Sequence, residues 1–176
     1  MFRIVTPDDF KTTAWKNGGG VTHEILRDEG EPWRWRISIA EVSTDGPFSA
    51  FEGQTRILTV IEGEGLDLHA PGGGVLRARP FRPLTFSGDA PVDSHMVNGP
   101  VRNLNLIYDP RYVKASVEVI DGPATIESGP GQTGVLCMDG RVTLAEDALP
   151  CGAFGSGQGG CIDVGQKGRC VVVRLA

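Results

Sequence analysis

Two segments of this chain carry the residue types that could do chemistry. The first is Trp15–Lys16–Asn17–Gly18–Gly19–Gly20, with Thr22, His23 and Glu24 just beyond it. The second runs from Trp35 to Arg56 and holds Arg36 and Ser38. An arginine presents parallel N–H donors that match a carboxylate, so Arg36 and Arg56 are suited to holding an anion. A surface or structural ion pair is the alternative for either. Three glycines after Asn17 free the backbone for positive φ and for close approach to a ligand or a strand. Their successive N–H groups could form an anion nest, or the run could be a tight bend at a barrel corner. It is not a P-loop, because the Gly-Lys-Ser/Thr ending is missing.

Other reactive types offer less. His23, His69 and His95 are the only histidines and form no His-x-His pair, so three or four converging metal ligands are not expected. No Gly-x-Ser-x-Gly elbow occurs. Cys137, Cys151, Cys161 and Cys170 contain no Cys-x-x-Cys spacing and read as free thiols, with a Cys151–Cys161 bridge across a glycine-rich loop as the alternative. On these grounds no catalytic residue, no metal ligand and no cofactor is assigned. A metal-free enzyme could still use His23 or Glu24 as a general base.

These side chains have to be positioned by strands. In Trp33–Ala40 the apolar residues Trp33, Trp35, Ile37 and Ile39 alternate with Arg34, Arg36 and Ser38, the pattern of a half-buried strand. Its polar face meets either solvent or a polar interior pocket. Val113–Val119 repeats the alternation, and Val21–Arg27, Thr55–Ile61 and Val101–Tyr108 are further strands. Pro7–Thr12, with Thr6 as N-cap, is the main helix candidate. The chain has 25 glycines, about twice the usual share of roughly 7%, and 12 prolines. Such punctuation favours short strands and tight turns, hence a sandwich or barrel. Asp109–Tyr112 marks the expected boundary, giving units 1–110 and 111–176.

Composition narrows the partners. The formal net charge is −5 over 176 residues with no basic stripe, which argues against nucleic acid. No apolar run approaches the roughly 20 residues of a membrane span. The first residues lack the apolar region of a secretory signal, so a cytoplasmic location is expected.

Taken together, the segments resemble the HutD/Ves family, small bacterial proteins with a double cupin fold. The matching stretches are Trp15–Gly20 with Thr22 and Glu24; Arg36–Ile37–Ser38–Ile39–Ala40 with Val42; Gly46–Pro47–Phe48–Ser49 with Phe51 and Gly53; Arg56; and Phe86–Ser87–Gly88–Asp89. The resemblance implies an all-β bicupin of two antiparallel β-barrels or jelly rolls. Residues 1–110 would be the barrel that carries the motifs, and 111–176 a smaller cupin-like barrel packed against it.

Members called HutD accompany histidine-utilisation genes. The resemblance implies a non-enzymatic protein that binds a carboxylate intermediate such as N-formyl-glutamate and restrains the pathway. Arg56 looks like the family's ligand-binding arginine, with Asn17, Gly18, Gly19, Thr22, Glu24, Arg36 and Ser38 lining or shaping the site. In the family's Asp-x-Asn motif, Asn105 is retained and Asn103 stands where an acidic residue is expected. Two other readings stay open: a metal-independent cupin isomerase or epimerase acting on a small polar carboxylate, and a scaffold with a vestigial pocket. A homodimer is the assembly allowed for.

Overall fold

Alternating side chains and frequent glycine turns leave room for little but strands. A computed structural model describes residues 1–176. Its regular structure is strand apart from one 3-10 turn at Pro7–Asp9. In chain order, β1 (Phe2–Val5) precedes that turn, and β2 (Lys11–Ala14), β3 (Gly20–Arg27), β4 (Trp35–Val42) and β5 (Gly46–Pro47) follow it. Next come β6 (Thr55–Glu62), β7 (Leu66–His69), β8 (Val75–Ala78), β9 (Leu84–Ser87), β10 (Asp93–Met96) and β11 (Val101–Tyr108). The rest are β12 (Ala115–Asp121), β13 (Ala124–Glu127), β14 (Gln132–Asp139), β15 (Val142–Leu144), β16 (Asp147–Leu149), β17 (Phe154–Gly157), β18 (Cys161–Val164) and β19 (Arg169–Leu175).

The chain divides into two compact units. One is Lys11–Val113; the other joins Met1–Phe10 to Lys114–Ala176. The expected division at residue 110 put the first ten residues in the leading unit. They belong to the other because β1 pairs antiparallel with β17, Phe2 opposite Gly157. No unit closes into a hydrogen-bonded barrel. Each instead has two separate antiparallel sheets, so of the two forms expected, β-barrels or jelly rolls, the closed barrel is not the one built.

In Lys11–Val113 a six-stranded sheet, β2-β3-β4-β11-β6-β9, accompanies a four-stranded one, β5-β10-β7-β8. Val42, Leu58 and Val60 of the first sheet share a core with Leu66, Leu68 and Ala78 of the second. The remaining unit has sheets β1-β17-β14-β19-β12 and β13-β18-β15-β16, with Val135, Leu144, Ile162 and Val172 in its core. That core is filled tightly. A Cβ on Gly134 would stand 2.3 Å from the Phe154 ring, and one on Gly155 would stand 2.1 Å from Leu144.

The helix expected at Pro7–Thr12 is cut short. Thr6 N–H and Thr6 Oγ1 both donate to the Asp9 carboxylate, at 2.8 and 3.0 Å, so the start signal is read correctly. Only a single 3-10 turn follows, because Lys11–Ala14 takes up pairing with β3, Lys11 opposite Glu24 and Thr13 opposite Thr22. The Cys151–Cys161 bridge is not formed either. All four thiols are free; Cys151 donates to the Met138 carbonyl and Cys161 to Glu127. No helix is long and apolar enough to cross a membrane.

Candidate functional site

Cross-strand register brings the chemistry together on one face of the six-stranded sheet. Arg36 on β4 lies opposite Ile107 on β11, which lies opposite Arg56 on β6, which faces Phe86 on β9. The next row reads Glu24, Ser38, Asn105 and Leu58; the one beyond it Thr22, Ala40, Asn103 and Val60. Residues in one row project to the same side of a sheet, so the two arginines flank Ile107 across two strand spacings, about 10 Å of backbone. The face grades from charged to apolar along the strands. Its charged end walls a cavity of about 660 Å³, while its apolar end joins the core.

Arg56 is only 5% exposed. Its Nε and Nη2 donate to Asn105 Oδ1 at 3.4 and 3.2 Å, and its Nη1 donates to the Ser49 carbonyl at 3.4 Å. All these acceptors are neutral. The guanidinium carbon lies 5.2, 5.5 and 5.1 Å from the ring centres of Phe48, Phe51 and Phe86, within cation–π range. Burial, and secondarily the charge of Arg36, pushes its pKa down to about 10. At neutral pH it is therefore still a cation, desolvated and without a carboxylate partner.

Arg36 shares this character. Its guanidinium carbon lies 5.3 Å from both the Trp33 and the Phe51 rings, and its buried Nε donates to no protein group. Burial lowers its pKa most; Glu24 opposes that with an attraction, and Arg27 adds a repulsion. Phe51 thus serves both guanidinium groups. Its place is set by the Phe86–Asp89 motif: Phe51 N–H donates to the Gly88 carbonyl at 2.8 Å, and Asp89 accepts from Gly53 N–H at 2.6 Å. A Cβ on Gly88 would come within 2.6 Å of the Phe51 carbonyl, which is why glycine stands there.

Behind Asn105 the polar chain continues inward. Asn105 Nδ2 donates to Asn103 Oδ1 at 2.9 Å, and Asn103 Nδ2 donates to the Ala40 carbonyl at 3.5 Å. Both amides are buried. At the other side of the cavity, Trp15 Nε1 donates to Thr22 Oγ1 at 2.8 Å and the indole packs edge-on against Phe48.

Arg56, Arg36, Asn17, Thr22, Glu24, Ser38 and Asn105 all lie on the cavity wall. Gly18 and Gly19 do not, and the anion nest is not built. Gly18 N–H donates to the Trp15 carbonyl at 3.0 Å and Gly19 N–H to Asn17 Oδ1 at 2.9 Å, so both are consumed within the loop. The glycines shape the bend instead. Gly18 has φ +73, and a Cβ on Gly20 would stand 2.3 Å from the Glu41 carbonyl and 3.0 Å from the Trp15 ring.

Sequence reasoning missed Lys11 and Lys16, which also line the cavity, along with Phe48 and Phe51. Lys11 gave no signal, because it sat in a supposed helix, and Lys16 lay within the first segment without being singled out there. The phenylalanines lay in the Gly-Pro-Phe-Ser-x-Phe run, and their pairing with arginine could have been suspected from it. The wall therefore holds four cationic side chains against one carboxylate, Glu24, in a chain of formal charge −5.

His23 bonds to Thr12 and Glu41, away from this wall. His69 and His95, distant in sequence, meet with ring centres 4.5 Å apart. No three His, Cys, Asp or Glu side chains converge in a way that could hold a metal ion. An anion held by desolvated, aromatic-backed guanidinium groups is the chemistry this wall supports.

Comparison with known proteins agrees with this architecture. The model of the HutD family matches residues 7–171. An uncharacterized 21.2 kDa protein in the hutC 3' region of Pseudomonas putida is 38% identical over 131 residues, covering 73% of this chain and 69% of that one. Protein Ves of Citrobacter koseri is 30% identical over 138 residues, covering 77% and 72%. The structure of HutD from Pseudomonas fluorescens SBW25, described as a formate condition, superposes with a TM-score of 0.89 at 31% identity, covering 100% of this chain and 98% of that one. A cupin 2 conserved barrel domain protein from Leptotrichia buccalis, at 9% identity and a TM-score of 0.61 over 94% of this chain and 96% of that one, shares the fold alone.

Proposed function

The chain belongs to the HutD family, and from that premise we propose that it is a non-enzymatic binding protein for a small carboxylate. The ligand we infer is an intermediate of histidine breakdown such as N-formyl-glutamate, whose occupancy restrains the pathway. We read the two units as paired cupin modules, of which Lys11–Val113 holds the ligand. One observation carries the reading: Arg56 is buried and cationic, and every protein group it donates to is neutral. A buried charge without a counter-charge is unfavourable, and a ligand carboxylate supplies one. Arg36, with an unpartnered Nε on the same wall, is the second donor.

Calorimetric titration with formate, N-formyl-glutamate and urocanate tests this. The expected result is saturable binding of at least one carboxylate to the wild type and its loss in Arg56→Ala. Binding that survives the substitution unchanged would remove Arg56 from the site.

A second reading has one observation in its favour. Glu24 stands on the same wall, in the row beside the arginines, where it could take a proton from a bound carboxylate's neighbouring carbon. A metal-independent isomerase or epimerase would then exchange substrate hydrogen with deuterated water. The binding reading expects no such exchange.

A further inference from the structure

Asn103 does not line the cavity, yet it is fully buried two rows behind the arginine and ends the polar chain that begins there. The order is Arg56 guanidinium to Asn105 carbonyl oxygen, Asn105 amide nitrogen to Asn103 carbonyl oxygen, Asn103 amide nitrogen to the Ala40 backbone carbonyl. Each amide donates in one direction and accepts in the other, so the polarity of the chain is set throughout. The backbone carbonyl at its inner end accepts only, and the amide at position 103 meets it with a donor that a carboxylate lacks. The outer end accordingly presents Asn105 to Arg56 as an acceptor with no net charge.

We propose that Asn103 is the charge-setting residue of this site: by ending the relay in a neutral amide it leaves Arg56 without a protein counter-ion, so that the bound carboxylate supplies it. The inference rests on the reading of the cavity as a carboxylate site and adds what selects the ligand's charge. An aspartate at 103 could still accept from Asn105. It would also place a negative charge one hydrogen-bonded amide away from the guanidinium and oppose the Ala40 carbonyl. A unit charge at roughly 10–12 Å from a buried anion, at an effective interior dielectric near 20, changes affinity by about tenfold to twentyfold.

The test uses the full chain and N-formyl-glutamate in calorimetric titrations at pH 8 and pH 5, with wild type, Asn103→Asp and Asn103→Ala. The remaining charged groups around the relay are Arg56 from β6, Arg36 from β4, Glu24 from β3, Lys11 from β2, and Lys16 in the loop after it. They are common to all three proteins, so differences between the profiles isolate position 103. Asn103→Asp is expected to bind at least tenfold more weakly than wild type at pH 8. Its loss should shrink at pH 5, because burial raises the pKa of the new carboxyl and brings part of it into the neutral form. Asn103→Ala, which removes the amide without adding charge, is expected to stay within about threefold of wild type at both pH values.

Equal affinity of Asn103→Asp and wild type at pH 8 would overturn the inference, as would equal, pH-independent losses in both variants, which mark a merely structural amide. Should Asn103→Asp not fold, Asn105→Asp sets the same charge one step nearer the guanidinium: a loss of tenfold or more at pH 8 supports the inference, and a smaller one overturns it. A wild type that binds no carboxylate defeats the reading of the cavity itself. Wild-type binding with an indifferent position 103 defeats only this inference.

Discussion

Replacing Arg56 with methionine separates a ligand-holding arginine from a structural one. Burial and, after it, the neighbouring Arg36 lower the Arg56 pKa to about 10. At about 1.36 kcal/mol per unit, the charged form is disfavoured in the folded chain by about 3 kcal/mol. Three phenylalanine faces at 5.1 to 5.5 Å offset this by about 0.5–1 kcal/mol each, and hydrogen bonds to neutral acceptors by about 1 kcal/mol more. These terms nearly cancel. Methionine of similar length removes both sets, so Arg56→Met is expected to unfold in urea within about 1 kcal/mol of the wild type at pH 7.

Carboxylate affinity in the same variant should fall at least a hundredfold, since charge-assisted hydrogen bonds contribute about 1.5–3 kcal/mol each. The pH dependence has a definite sign. Below about pH 10 the proton is bound in both folded and unfolded chains and the penalty is constant. Between about pH 10 and the ordinary arginine value the unfolded chain binds more protons, so the wild type gains stability relative to the variant as pH rises through that window. The measurements are urea midpoints for both proteins at pH 7 and pH 11, and a calorimetric titration of each with N-formyl-glutamate. A stability loss of about 3–5 kcal/mol, the size seen when half of a buried ion pair is removed, would refute the view of Arg56 as an unpaired cation. So would undiminished binding.

Two further substitutions probe how the site is held. Asp89→Ala removes the acceptor for Gly53 N–H and Ser87 Oγ and so loosens the turn that carries Phe51; calorimetry should show carboxylate binding weakened about threefold or more although no residue of the cavity wall is replaced. Those same bonds, the backbone one foremost, hold the Asp89 carboxyl below its usual value, so its contribution is present above the ordinary carboxylate range and lost only as acid drives the pH through the lowered value, which an acid-unfolding comparison with the variant would read. Gly20→Ala should lower stability in urea by more than about 2 kcal/mol, because backbone at 2.3 Å cannot yield, whereas Gly18→Ala, with φ +73 and open space, should lower it by about 1 kcal/mol.

By itself the amino-acid sequence determined the strand content and the face each residue occupies. Two-residue periodicity in Trp33–Ala40 assigned Ile37 and Ile39 to one side and Arg36 and Ser38 to the other. The strand runs two residues later than expected, at Trp35–Val42, and an even shift leaves every face unchanged. The short strands β13, β16, β17 and β18 were not legible, since glycines, cysteines and charges interrupt their alternation. Nor was the end of the helix signal at Thr6–Asp9 evident, because the pairing of Lys11–Ala14 with β3 outweighs a cap that ends a single turn.

For the site, residue type singled out Arg36, Arg56 and the glycine run, but the polar face of β4 had two destinations that periodicity cannot distinguish. Tertiary structure decided between them. Registers across β3, β4, β11 and β6 aligned residues far apart in sequence into rows, put those rows on a cavity wall, and brought in Lys11 from a segment with no chemical signature of its own, together with Lys16 and Phe51, which residue type had not singled out. It also decided the roles of the glycines, whose N–H groups are bonded within the loop. The physical reason is that a side chain's direction follows from local alternation, whereas its electrostatic surroundings depend on partners that only the folded sheets bring together. The unpaired charge of Arg56 depends on such surroundings: neutral acceptors, aromatic faces and a buried amide at position 103.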